Sequence, residues 1–135
     1  MQLVCESTRM NYSTSSEFDR ELKTLSKKWR SLPNDFKSVK KSLPLLYTIQ
    51  PDETDENLRM RRDQFFNNKR ATILHTTKDG IEIVKMRLDC ASLGNKDMLR
   101  LVFVYIMQGD TITFIELYSK NDKQREDQVR IKKYL

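Results

Sequence analysis

The stretch IEIVKMRLDC, residues 81–90, decides the fold. Successive side chains on a strand point to opposite faces, so Lys85 and Arg87 share one face while Val84, Met86 and Leu88 share the other. ATILHTT (71–77) precedes it, joined through Lys78-Asp79-Gly80. Asp-Gly supplies the positive φ that a tight connection needs, which predicts a hairpin. After the loop ASLGNKD (91–97), MLRLVFVYIM (98–107) is apolar almost without a break, the pattern of a central strand covered on both faces. Gln108-Gly109-Asp110 then turns the chain into TITFIELYSK (111–120). Another strand is expected near Arg9 to Ser13, leaving Met1 to Thr8 as an extension and Met10 as an alternative start.

Upstream of these strands the period is helical. Phe18, Leu22, Leu25 and Trp29 recur at steps of three and four behind a capping Ser15 or Ser16, which makes one continuous stripe. Leu32-Pro33 resets the backbone, and Phe36, Val39 and Leu43 mark a second short helix that Pro44 ends. The two read as a helical hairpin packed on one face of the sheet. Gln50 to Asn57 (QPDETDEN) reads as an exposed acidic loop. In LRMRRDQFFNNKR (58–70), Arg59, Arg61, Arg62, Lys69 and Arg70 flank Phe65 and Phe66. Such interleaving suits stacking and charge on a single-stranded nucleic acid, but plugging the core edge with the two phenylalanines explains it as well. The closing NDKQREDQVRIKKYL (121–135) reads as a helix or a mobile tail.

A chain of 135 residues is long enough for one domain with its own core. Lys and Arg total 25 against 19 Asp and Glu, giving +6 and a pI near 9.4. That balance favours an RNA, DNA, ribosomal or acidic-protein partner. Cys5 and Cys90 have no metal-ligand spacing and are too few for a disulfide framework, so a reducing compartment is expected. No apolar run reaches membrane-spanning length, and MQLVCESTRM lacks the apolar core of a secretory signal. The expected location is the cytoplasm.

Catalytic chemistry narrows by elimination. With His75 alone, a two-histidine acid/base pair cannot be assembled. The three glycines stand apart and form no nucleotide-binding loop. Neither cysteine has a histidine near it in sequence, and structural-metal spacing is absent. No cofactor is expected. What is left is Lys, Arg and Tyr at the strand ends: Lys85 and Arg87, Arg100, and Tyr118 to Lys120. Such a set suits metal-free RNA cleavage, in which the 2′-hydroxyl attacks its own phosphate and cations stabilise the charge that builds up.

The order SSEFDRELKTLSKKWRSLPNDF, IVKMRLDC, LRLVFVY, FIELYSKND resembles the RelE/ParE superfamily of bacterial toxins, in particular its larger RelE/HigB-like members. The resemblance is strongest from Ile83 to Asp122, and it rests on order and spacing rather than on one specific motif. It implies a single α+β domain, with a small twisted, mostly antiparallel sheet and the helical hairpin on one side. It also implies the toxin of a toxin–antitoxin pair, inhibiting growth by cutting messenger RNA in the ribosomal A site. Its partners would be a cognate antitoxin, mRNA and the ribosome, with no membrane. By this likeness Lys85, Arg87, Arg100, Tyr118 and Lys120 form the catalytic set: the arginines for the phosphate, Lys85 or Lys120 for the protons. Arg61, Arg62, Lys96, Asn121 and Lys123 are the expected RNA-contacting residues around it.

Two features depart from the family pattern. Close relatives place a Ser-Gly-Gly-like turn where this chain reads GNKDMLR (94–100), and the tyrosine some carry in the C-terminal helix falls near Asp127, leaving that role to Tyr118 or Tyr134. Two other classes share the fold: a ParE-like inhibitor of DNA gyrase, and a non-enzymatic nucleic-acid-binding or degenerate toxin. The clustered Lys85, Arg87, Arg100 and Lys120 argue against the gyrase inhibitor, which acts by binding alone. A neighbouring reading frame for a small antitoxin favours either toxin over the non-enzymatic form.

Overall fold

A computed structural model describes residues 10–135. The extension Met1 to Thr8, together with Arg9, lies outside the described residues. Strand β1 (Asn11–Thr14) leads into helices α1 (Ser16–Lys28) and α2 (Leu32–Ser42), a 3-10 turn (Leu43–Leu46) and helix α3 (Asp55–Asn67). Strands β2 (Ala71–Thr76), β3 (Ile81–Leu88), β4 (Leu99–Ile106) and β5 (Thr111–Ser119) follow, then a short helix α4 (Gln128–Lys132). The five strands form one mixed sheet in the order β1-β5-β4-β3-β2. β1 runs parallel to β5 and every other pairing is antiparallel.

Helix α1 begins where its sequence can satisfy the orphan amides of a first turn. Ser15 caps it, its Oγ accepting from the Phe18 amide at 3.1 Å. Glu17 and Asp19 in the first turn and Lys27 and Lys28 in the last complement the helix dipole. Pro33 opens α2, where its missing N–H costs nothing. Both helices bury their stripes on the same sheet face. Phe18, Leu25, Trp29, Leu32 and Phe36 join Val84, Met86, Leu88, Phe103, Tyr105 and Phe114 in one core, with Leu22 at its margin. At its centre Phe114 meets Phe36 edge-on at 4.8 Å and Phe18 at 5.7 Å, a favourable arrangement for aromatic rings.

The second face carries a smaller cluster: Ile83, Val102, Val104, Ile115 and Tyr118, covered in part by Ile131 of α4. Strand β4 is therefore buried on both sides, as its unbroken apolar run implies. A register shift between Val102 and Phe103 inserts Ile115 as an extra residue of β5. Phe114 and Leu117 thereby both face the large core although they are three apart.

One expectation needs correction, and three others can be given their bounds. The segment Gln50 to Asn57 is not all loop, because Thr54 and Asn57 form a reciprocal capping box that starts α3 at Asp55. Helix α2 ends at Ser42, just before Pro44 as expected, and the backbone tightens into the 3-10 turn Leu43–Leu46 around the proline. The strand expected near Arg9 to Ser13 is present, its described part being Asn11–Thr14. Among the described residues, the C-terminal stretch holds a helix, α4, capped by Asp127 and anchored by buried Ile131.

Trp29 closes α1 and is 9 % exposed. Trp29→Ala is expected to lower stability by about 3–5 kcal/mol in urea unfolding, because a large buried aromatic leaves a cavity. A loss well under 1 kcal/mol would show that this side chain does little to close the core.

Candidate nucleic-acid interface

The register of β3, β4 and β5 sets the site. Arg87 pairs with Arg100 and Arg100 with Tyr118, so these three lie in one row across the sheet. The next row runs Lys85, Val102, Glu116. Opposed residues share a face, which here is the one away from α1 and α2. Lys69 and Arg70 enter from the chain before β2, and Lys120 from the end of β5. With Lys85, Arg87 and Arg100 they line a cleft of about 230 Å³, to which Thr72 and Met86 are the other contributors among the described residues. The catalytic set expected from sequence is thus largely brought together: Lys85, Arg87, Arg100 and Lys120 line the cleft, and Tyr118 stands next to Arg100.

So much positive charge in a small space needs compensation, since like charges directly opposite each other destabilise a strand pair. Carboxylates supply it. Asp97 bridges the two arginines, Oδ2 to Arg87 at 2.8 Å and Oδ1 to Arg100 at 3.1 Å. Lys85 pairs with Glu126 at 2.9 Å and Arg70 with Asp89 at 2.6 Å. Lys123 pairs with Glu116, whose side chain is 1 % exposed. Lys69 and Lys120 have no carboxylate partner among the described residues; Lys120 Nζ lies 3.4 Å from the Gln124 carbonyl. The cleft therefore keeps two free ammonium groups and four paired cations.

Tyr118 is nearly buried, and its hydroxyl has no hydrogen-bond partner among the described residues. Burial first, then the charges of Glu126 and Glu116, push its pKa up to about 12 against the opposing pull of Arg100. It stays a phenol at neutral pH, and its buried hydroxyl is not among the groups that line the cleft.

The residues expected to contact RNA separate into two groups. Lys96 and Asn121 are exposed beside the cleft, whereas Lys123 is drawn to Glu116 and stands 5.1 Å over the Tyr118 ring. Arg61 and Arg62 are held inside the fold. Arg61 pairs with Glu53 and donates to the Leu45 and Thr48 carbonyls, each at 3.0 Å. Arg62 donates to Glu82 at 2.6 Å and lies over the rings of Tyr47 and Phe66. Both phenylalanines of that segment pack against the core. Sequence reasoning missed Arg70, Lys69, Asp97 and Glu126 as members of the site. Arg70 and Lys69 carried a signal, closing a basic segment directly before a strand; the two acids sit in a loop and in the tail, with no spacing to mark them.

No family model matches the chain, and no curated protein sequence matches it either. Among solved structures it is similar to a chain of the archaeal RelE–RelB complex from Pyrococcus horikoshii OT3. The identity is 14 %, over 84 % of this chain and 98 % of the other, with a TM-score of 0.52. The fold is RelE-like: α+β, with a five-stranded mixed sheet. Among the described residues, no helix is long and apolar enough to cross a membrane.

The Lys85–Glu126 pair gives a pH signature. Burial alone would raise the Glu126 pKa, but hydrogen bonds from Lys85 and the backbone, with the Lys85 charge, outweigh it and hold the group below its ordinary 4.5. A carboxylate with a depressed folded pKa stabilises the fold above its unfolded value and loses that contribution as pH falls through the folded one. Wild type should therefore exceed Glu126→Gln in unfolding free energy at neutral pH, with the gap closing as pH drops below 4.5. A gap that stays constant with pH would mean that the ion pair does not hold the tail.

Proposed function

We propose that this protein is the toxin of a toxin–antitoxin pair, a ribosome-dependent endoribonuclease that cuts messenger RNA in the cytoplasm without a metal. The observation that carries the reading is the cleft lined by Lys69, Arg70, Lys85, Arg87, Arg100 and Lys120 on the face that the core leaves open. A RelE-like fold around it supports the same reading.

The chemistry follows from where the charges stand. A 2′-hydroxyl oxygen bonds to the adjacent phosphorus, the bond from phosphorus to the 5′-oxygen breaks, and a 2′,3′-cyclic phosphate is left. Negative charge grows on the non-bridging oxygens, so donors already aimed at them lower the barrier. Arg87 and Arg100, adjacent across two strands and oriented by Asp97, are placed to hold those oxygens in a forked grip. One lysine, having first released a proton to solvent, takes the 2′-hydroxyl proton as a neutral amine, and another group returns a proton to the 5′-oxygen. Lys120, free of carboxylates among the described residues, and Lys85, once Glu126 withdraws, fit these roles, whereas the Tyr118 hydroxyl is buried away from the cleft.

The ribosome supplies what the cleft lacks. An open sheet face binds a phosphate but does not force the 2′-hydroxyl into line with the leaving oxygen, and a codon fixed on the ribosome brings that alignment. A cognate antitoxin silences the protein by laying an acidic or amphipathic segment across the basic face.

In a translating extract the protein should cut messenger RNA while hardly touching naked RNA, and co-expression with the product of the adjacent gene should abolish the cutting. Arg87→Ala and Arg100→Ala should each slow cleavage by about 10²–10³-fold and relieve growth inhibition. The melting temperature should move by no more than about 4 °C, because partly exposed pairs contribute little to stability. Equal cutting of naked RNA would remove the ribosome from the mechanism. No cutting, with trapped gyrase–DNA complexes, would make the protein a gyrase inhibitor instead.

A further inference from the structure

Lys69 lines the cationic cleft, has no carboxylate partner among the described residues, and holds a left-handed backbone at φ 66°. We propose that Lys69 is the general acid of the cleavage, giving an ammonium proton to the departing 5′-oxygen. This inference rests on the reading of the cleft as an endoribonuclease site.

A left-handed backbone suits glycine or asparagine and is unfavourable for lysine, whose Cβ crowds the following carbonyl. Asn67 and Asn68 stand directly before it, yet Lys69 takes that conformation. The turn is built to hold it. Asn68 Oδ1 accepts from the Arg70 amide at 3.0 Å, and the Arg70 carbonyl accepts from the Arg87 amide at 2.8 Å. The fold thus keeps a long cation where glycine would cost less, and such strain gathers where a side chain is retained for what it does.

In-line displacement sets the attacking 2′-oxygen and the departing 5′-oxygen on opposite sides of phosphorus, so base and acid must approach from opposite flanks. The strand order supplies two flanks. Arg87 on β3 and Arg100 on β4 form the centre; Lys120 enters from the end of β5 on one side, and Lys69 from the chain before β2 on the other. The Lys120 amide donates to the Met98 carbonyl at 2.7 Å, which fixes its flank as the Arg70–Arg87 bond fixes the other. At the usual strand spacing β2 and β5 stand about 14 Å apart, and both lysines reach inward toward a phosphate held between them. Lys85 stands between the flanks, on β3, and is occupied by Glu126.

The protons then balance. Lys120, as a neutral amine, takes the 2′-hydroxyl proton while that oxygen bonds to phosphorus. As the bond from phosphorus to the 5′-oxygen breaks, its electron pair stays on the oxygen, which takes a proton from Lys69 Nζ. Lys69 is left as a neutral amine and recovers a proton from solvent, and Lys120 gives one up.

The decisive experiment removes the need for that proton. Ribosomes are programmed with a short messenger whose scissile 5′-oxygen is either kept or replaced by sulfur, because a thiol is far more acidic than an alcohol and leaves as the bare thiolate. In single-turnover cutting, Lys69→Gly should be about 10²-fold slower than wild type on the oxygen substrate and within about threefold of it on the sulfur substrate. Lys69→Arg, which keeps the charge but holds its proton, should follow the same pattern, whereas Arg87→Ala should be slow on both. The melting temperature of Lys69→Gly should stay within about 4 °C of wild type, since glycine takes the left-handed turn without strain. Wild-type cutting of the oxygen substrate by Lys69→Gly would overturn the role, and so would equal slowing on the two substrates, which marks a phosphate-binding group instead. Failure of the wild type to cut either substrate would overturn the endoribonuclease reading along with it.

Discussion

The pairing register of β3, β4 and β5 is the constraint on which the rest of this molecule depends. With a side-chain period of two, slipping β3 by one residue against β4 would turn Lys85 and Arg87 into the core and Val84, Met86 and Leu88 out of it. The apolar side chains of one face thus enforce the alignment of the charges on the other. In β5 the bulge at Ile115 resolves a conflict between the two faces. Phe114 and Leu117 both reach the large core, while Glu116 and Tyr118 stay opposite Val102 and Arg100 on the open face. Without that extra residue, Tyr118 could not complete the row that begins with Arg87.

Charge is handled by a division of labour between strands and loops. The strands and their ends carry the cations, in fixed positions. The partnering carboxylates come from less constrained places: Asp89 just past β3, Asp97 in the loop before β4, and Glu126 in the tail. Under the proposed function, a phosphate arriving at Arg87 or Arg100 would exchange one oxyanion for another instead of stripping water from a bare guanidinium, with no strand needing to move. The same pairing explains how neighbouring arginines coexist on adjacent strands in the free protein.

Much of this was legible before any coordinates. The three-and-four spacing of Phe18, Leu22, Leu25 and Trp29 named a helix and its buried side, and the alternation in IEIVKMRLDC told which face each residue takes. That Lys85, Arg87, Arg100 and Lys120 would come to one cleft was legible because strand ends are fixed by the strands themselves. Helix α3 stayed hidden because LRMRRDQFFN has no apolar stripe; its signal was the cap at Thr54, three residues before Asn57, inside a segment that looked like loop. Arg61 and Arg62 looked like RNA ligands because composition alone does not say whether an arginine meets a phosphate or a carboxylate of its own fold. Asp97 and Glu126 could not be read at all, since a loop residue and a tail residue meet the arginines and Lys85 only after the sheet has formed.

The network that claims Arg62 bears on the cleft from a distance. Helix α3 has no continuous apolar stripe, so beyond the packing of Phe65 and Phe66 at the core's edge it depends on polar bonds. Arg62 donates to Glu82 at 2.6 Å, Tyr47 donates to the other oxygen of that carboxylate at 2.6 Å, and the Tyr47 ring stacks on Tyr105 at 3.8 Å. Burial and the Glu82 charge raise the Tyr47 pKa well above its ordinary value, so the phenol remains a donor and the carboxylate stays satisfied on both sides. Once α3 is fixed, its C-terminal exit is fixed too. Lys69 adopts a left-handed backbone at φ 66°, which turns the chain sharply from the helix into β2. That turn brings Lys69 and Arg70 over the edge of the sheet to the cleft. Two of the cations that line the cleft thus owe their place to a carboxylate on the opposite face of β3.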